Sequence, residues 1–79
     1  MTSMNDRRHQ LQRYNVPEVT DAIRTEVFGD QNRRIMADLF LHNMTYQAAA
    51  ERHNLSVRGL HNRVEKIYPA VYRKLNKPN

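Results

Sequence analysis

Residues 45–64 read TYQAAAERHNLSVRGLHNRV, and the fold turns on how this stretch is parsed. Thr45 is a natural N-cap, because its hydroxyl accepts one of the backbone N–H groups that a helix start leaves unpaired. The residues after it, with Tyr46, Ala49 and Ala50 on one side, form a short helical pattern whose alanines leave room for a second helix to cross. Asn54 tolerates the left-handed backbone of a tight turn, second only to glycine. Leu55 plugs the turn, and Ser56 is a second N-cap. Leu60, Val64 and Ile67 follow at spacings of four and three, the stripe that seats a helix on a core. Ala50, Asn54, Leu55 and Leu60 stand at offsets 0, 4, 5 and 10, the spacing of a helix–turn–helix, with Asn54 where glycine is more usual. A plain αα-hairpin inside a helical core would place the same apolar residues. It would not explain the face they leave free.

With Leu60, Val64 and Ile67 turned inward, Val57, Arg58, His61, Asn62 and Arg63 project near the start of the second helix, and Lys66 lies one turn on. The sole acid of that helix is Glu65, whereas a face built for solubility mixes both signs. Four of these residues are candidate base readers. Arg58 has the fork that matches guanine O6 and N7, and serves equally as a phosphate clamp. Asn62 matches adenine N6 and N7, or is a surface polar residue. His61 donates to a base or a phosphate, or is simply solvated. Val57 meets a thymine methyl, or packs on the turn. Thr45, Gln47, Ser56, Arg63 and Lys66 are candidate phosphate contacts, Thr45 and Ser56 because helix N-termini present free N–H groups. Gly59 costs about 1 kcal/mol relative to alanine inside a helix, which points to a close approach at that position.

The charge distribution agrees. Of the 79 residues, 1–44 carry six arginines against six acids and cancel. Residues 45–79 carry seven bases against two acids, so the whole net charge of +5 sits in the half that holds the quoted stretch. Clustered positive charge points to a polyanion, most simply nucleic acid; a solvated basic tail through Arg73, Lys74 and Lys77 is the rival reading. The length allows one small domain over 1–79, with a modest core. The chain has no cysteine, which excludes a disulfide framework and a thiolate metal site. No run approaches the ~18 apolar residues of a membrane span, and MTSMNDRRHQ has no apolar run behind its charges, so no signal peptide is expected. The expected location is the cytoplasm.

Along the rest of the chain the pattern is helical. Residues 1 to about 14 are polar, and are read as a short helix or a frayed end. Asn15, with Pro17 and Glu18 after it, resembles a capping arrangement. Val16, Val19, Ile23 and Val27 form one stripe, and Gly29 is placed to end that helix in a left-handed conformation. Asp30 is the next N-cap candidate, followed by Ile35, Met36, Leu39 and Phe40 in a helix to about His42. The helix–turn–helix occupies about 45–67. Pro69 cannot donate to the carbonyl of Glu65 and crowds that turn, so a stop or kink is expected near Ile67, with a last short helix over about 69–76. The fold class is therefore all-α, four to five helices with a helix–turn–helix.

The segment MTYQAAAERHNLSVRGLHNRV resembles the tetrahelical helix–turn–helix of sigma-factor region 4. Among small stand-alone proteins it is most similar to the KorA/TrfB family of plasmid repressors, with the PapB type of fimbrial regulator a weaker match. The likeness covers about residues 35–75 and rests on the preceding helix, Leu55, Ser56, Gly59, Leu60 and a basic, aromatic tail. It implies a helical homodimer that binds a palindromic operator in double-stranded DNA and represses transcription, at home on the bacterial nucleoid. It also implies C-terminal dimerisation, and a base-reading glutamine matched here by Asn62. Tyr68, Val71, Tyr72 and Leu75 form the apolar group expected at that interface; an ordinary place at the edge of the monomer core suits Tyr68 and Tyr72 equally, and Val16, Val19 and Ile23 offer a rival surface. No metal, cofactor or catalytic constellation is expected: His9, His42, His53 and His61 lack ligand spacing, and no nucleophile stands with a base. The alternatives to a DNA-binding regulator are a module that grips RNA polymerase and a non-specific nucleic-acid binder.

Overall fold

A computed structural model describes residues 4–77. The chain forms five α-helices, α1 (Met4–Gln12), α2 (Val16–Glu26), α3 (Asp30–Phe40), α4 (Tyr46–Arg52) and α5 (Val57–Asn76), and no strand among the described residues. The all-α class expected from the periodicity is the observed one. No described helix is long and apolar enough to cross a membrane. The core is closed by Val27, Ile35, Met36, Leu39, Leu60, Val64 and Val71. Helix α5 packs along α2 and crosses α4, while α3 packs on both α2 and α4.

The first helix is ordered by polar side chains rather than by an apolar stripe. Leu11 is its one large core residue, and Arg7 is buried beside it. Arg8 donates from Nε to the Leu39 carbonyl at 3.2 Å and from Nη2 to the Met44 carbonyl. Of the two readings of 1–14, the short helix is the one observed, over Met4–Gln12; residues 1–3 lie outside the described residues.

Helix α2 begins with a full capping box. The Asn15 side chain accepts from the Glu18 N–H at 2.9 Å, and the Glu18 carboxylate accepts from the Asn15 N–H at 3.3 Å. Val19, Ala22 and Ile23 face the core, but Val16 does not: the inward face begins at Val19, and Val16 is 63% exposed. The helix ends at Glu26, earlier than expected, through an extended Val27 that is itself buried. Gly29 does not end α2. With φ at +92° it stands at the N-cap of α3, with no side-chain cap, and Asp30 is the first helical residue rather than the cap. There its carboxylate still meets the positive end of the helix.

The break expected at Pro69 is also corrected. Helix α5 runs unbroken through it to Asn76. The ring is on the solvent side, and the lost bond to the Glu65 carbonyl is one of many along the helix. Tyr68 and Val71, on either side of it, are both buried and hold the two halves on one core.

Candidate nucleic-acid interface

Helix α4, its turn and the first half of α5 form the unit that residues 45–64 specify. Thr45 accepts from the Ala48 N–H at 3.1 Å and Ser56 from the Gly59 N–H at 2.9 Å, so both caps act as expected. Asn54 sits at φ +56°, in the left-handed region. The Leu55 N–H closes the turn onto the Ala50 carbonyl at 2.9 Å. Ala49 and Ala50 are buried under α5, whose Leu60 and Val64 are fully closed in the core.

Two further contacts fix this unit to α3. The buried Asp38 carboxylate lies 2.8 Å from Nε2 of His53 and 3.5 Å from Nε of Arg52, which ties α3 to the end of α4. Gln31 spans the turn and α5: its Nε2 donates to the His53 carbonyl at 3.3 Å, and its Oε1 accepts from Nη1 of Arg63 at 2.9 Å. Asn32 Oδ1 stands 3.3 Å from the same guanidinium nitrogen. Arg63, expected as a phosphate contact, is therefore partly engaged within the protein.

What α5 leaves outward is one stripe. Arg58, Asn62, Lys66, Pro69 and Arg73 are all exposed, at spacings of four, four, three and four. At 1.5 Å per residue the stripe is about 22 Å long, and no acid lies on it. Arg58, Asn62 and Lys66 hold no hydrogen bond or ion pair among the described residues. Arg73 was not among the expected site residues; it joins the stripe because the helix does not stop at Pro69. Val57 is exposed at the tip, and Thr45, Gln47 and Ser56 are exposed around it. His61 lies on the flank instead. It is half-exposed, edge-on to the Tyr46 ring at 5.7 Å, with Nε2 3.4 Å from Oε1 of Glu65.

Behind the stripe, α5 is held by a buried cation that nothing in the sequence marks. Nη2 of Arg7 meets Oε1 of Glu65 at 2.6 Å, and the guanidinium carbon lies 4.9 Å from the centre of the Tyr68 ring. Burial alone would push the guanidinium down; the hydrogen bond and charge of Glu65 outweigh it and leave it raised. The same hydrogen bond holds the Glu65 carboxyl below the usual carboxylate range. Burial pushes the Tyr68 phenol up to about 12 and raises Tyr46 as well. Among the described residues, Nε and Nη1 of Arg7 and the Tyr46 hydroxyl are buried without a hydrogen-bond partner.

The group expected at a two-fold interface divides. Tyr68 and Val71 are buried in the monomer core, with Tyr68 at 5.5 Å from the Phe40 ring. Neither can reach a second copy without opening that core, so these two positions are corrected to core residues. Tyr72, stacked on Tyr68 at 6.0 Å, and Leu75 are half-buried against the same cluster. Of the rival surface, Val19 and Ile23 are buried and only Val16 is exposed. Compared with protein-family models, with characterised proteins and with solved structures, the chain has no match in any of the three.

Proposed function

We propose that this chain is a sequence-specific double-stranded DNA-binding regulator of transcription, a repressor that acts as a homodimer on a palindromic operator. The first half of α5 enters the major groove, and the protein works in the cytoplasm on nucleoid or plasmid DNA. One observation carries the reading: a helix–turn–helix frame, capped at both starts, presents Arg58 and Asn62 outward, without a partner among the described residues, on an acid-free stripe that Lys66 and Arg73 extend. Arg58 and Asn62 suit base edges, while Lys66 and Arg73 suit the flanking phosphates. The resemblance to KorA/TrfB repressors supports the same assignment.

Selection from a random pool of duplex DNA at near-physiological salt tests it. An inverted repeat with half-sites about one helical turn apart is the expected outcome. A flat pool whose retention vanishes with salt leaves a non-specific binder. No retention removes the DNA reading and favours a protein partner such as RNA polymerase.

A further inference from the structure

Helix α1 stands apart from the rest of the fold. The principal helix packings, α2 on α5, α4 on α5, α2 on α3 and α3 on α4, close a ring that does not include it. None of the fully closed side chains of the core, from Val27 and Ile35 to Val64 and Val71, belongs to it. Its one large apolar anchor is Leu11. Its 9 residues are too few to hold a helix unaided, since isolated helices shorter than about 12–15 residues are marginal in water. Docking of α1 and its folding are therefore one event.

The attachments are polar and fall in two places. At α5, Nη2 of Arg7 meets Glu65, the guanidinium lies over the Tyr68 ring, and the Tyr68 hydroxyl donates to Oε1 of Gln10. At the α3–α4 connection, Arg8 spans from the Leu39 carbonyl, in the last turn of α3, to the Met44 carbonyl just before the Thr45 cap. Two consecutive arginines thus hold the side of α5 and the entry to α4. The docked state also carries a cost. Nε and Nη1 of Arg7 are buried without a hydrogen-bond partner among the described residues, and both regain water when the helix leaves. Few buried apolar contacts and a place outside the main packing mark the low end of local stability.

We infer that α1 is a strap that undocks as a unit from an intact α2–α5 ring, and that the docked strap is the DNA-binding state. The second half rests on the proposed function. Glu65 is the sole acid of α5 and stands next to Lys66 of the outward stripe. With the strap docked, Arg7 matches its charge at 2.6 Å. With the strap undocked, the carboxylate keeps only the His61 ring, 3.4 Å away, and becomes an unmatched negative charge beside the residues that meet the phosphates. Undocking therefore opposes DNA binding, and by linkage DNA favours docking to the same extent.

Native-state hydrogen exchange of the full chain without DNA tests the strap. The amides of residues 8–12 are expected to exchange through one shared opening, at least about 10-fold more frequent than the opening of the α3 and α5 core. Leu11→Ser raises that frequency at least about 10-fold and leaves the core amides as they were. Protection that falls away step by step toward the N-terminus is ordinary fraying and overturns the inference; so do α1 amides that open only together with the core. Fluorescence anisotropy with duplex DNA reads the coupling. Leu11→Ser is expected to weaken binding about 5-fold or more, and Glu65→Gln added to it recovers the loss, because the unmatched acid is gone. A Leu11→Ser chain that undocks α1 yet binds like wild type overturns the coupling, as does a loss that Glu65→Gln does not recover. A wild-type chain that retains no duplex removes the second half together with the proposed function, while the exchange classes decide the first half alone.

Discussion

Arg7 in the first helix meets Glu65 in the last at 2.6 Å, with the arginine buried and the carboxylate at the surface edge. This contact fastens a helix with little apolar face to the helix that carries the outward stripe. It also explains why Glu65 is the one acid on α5: it pairs inward with Arg7 and sideways with His61.

Removal of the carboxylate leaves a buried guanidinium with its charge unmatched. A buried pair broken on one side costs about 3–5 kcal/mol, and the partial exposure of Glu65 screens part of that, so Glu65→Gln is expected to destabilise by about 1–3 kcal/mol. Urea unfolding at neutral pH measures it. The pH dependence has a definite sign. The folded carboxyl is lowered, chiefly by the Arg7 hydrogen bond, so its contribution is complete above the unfolded value of about 4.3. It is lost as pH falls through the lower folded value. Wild type therefore loses more stability than Glu65→Gln on acidification below the unfolded value, and the two converge.

The two caps and the turn residue of the helix–turn–helix give a second set of outcomes. Thr45→Ala and Ser56→Ala each remove a side-chain acceptor from an early helical N–H and are expected to cost about 1 kcal/mol. Asn54, at φ +56°, brackets the turn. Asn54→Gly relieves a left-handed residue and stabilises by a few tenths to about 1 kcal/mol, while Asn54→Ala destabilises by a similar amount. Thermal unfolding of the three positions checks the series. Equal effects of glycine and alanine at 54 would contradict the left-handed turn.

Those positions were legible because each works through its own backbone. A cap, a turn and an alanine crossing depend on neighbours within a few residues, and Thr45, Ala49, Ala50, Asn54 and Ser56 carry their roles in their types and spacing. The misreadings lie where tertiary contacts override local preference. Arg7 sits in a polar stretch with nothing to mark it for burial, because its partners come from the far end of the chain. Tyr68 and Val71 suited a dimer surface as well as a core, and only the packing of α2 and α3 on α5 decides between them. Gly29 takes the left-handed backbone its type favours, but at the start of α3 rather than at the end of α2, since the buried, extended Val27 shortens α2.

Pro69 supplies a third test, of the unbroken α5. The helix tolerates it at the cost of one backbone bond and some crowding against the preceding turn. Pro69→Ala restores the donor to the Glu65 carbonyl at an exposed position. It is expected to raise stability by about 1–3 kcal/mol, within the difference between the two residues in a helix interior. Calorimetry or urea unfolding reads it, and a loss of stability would mean that the ring holds a kink the core needs.

The stripe of α5 gives the last set, which separates reading from anchoring. Arg58 and Asn62 stand outward without partners among the described residues, so Arg58→Ala and Asn62→Ala leave the fold intact; on the proposed function each costs a selected operator about 1–3 kcal/mol, with relaxed preference at one base position. Lys66→Ala instead weakens all duplexes alike and lowers the slope of log affinity against log salt by about 1. Arg63 behaves as neither. Its guanidinium is held by Gln31 and Asn32, so Arg63→Ala loosens α5 from α3, lowers stability, and weakens binding through the placement of the whole helix. Gln31→Ala is expected to reproduce that loss although Gln31 lies off the stripe, because it cuts the same brace at the turn carbonyl of His53. Fluorescence anisotropy across a salt series, run beside unfolding of each variant, distinguishes the three behaviours. If Gln31→Ala left both stability and affinity unchanged while Arg63→Ala altered only the salt slope, Arg63 would be a phosphate contact and not a brace.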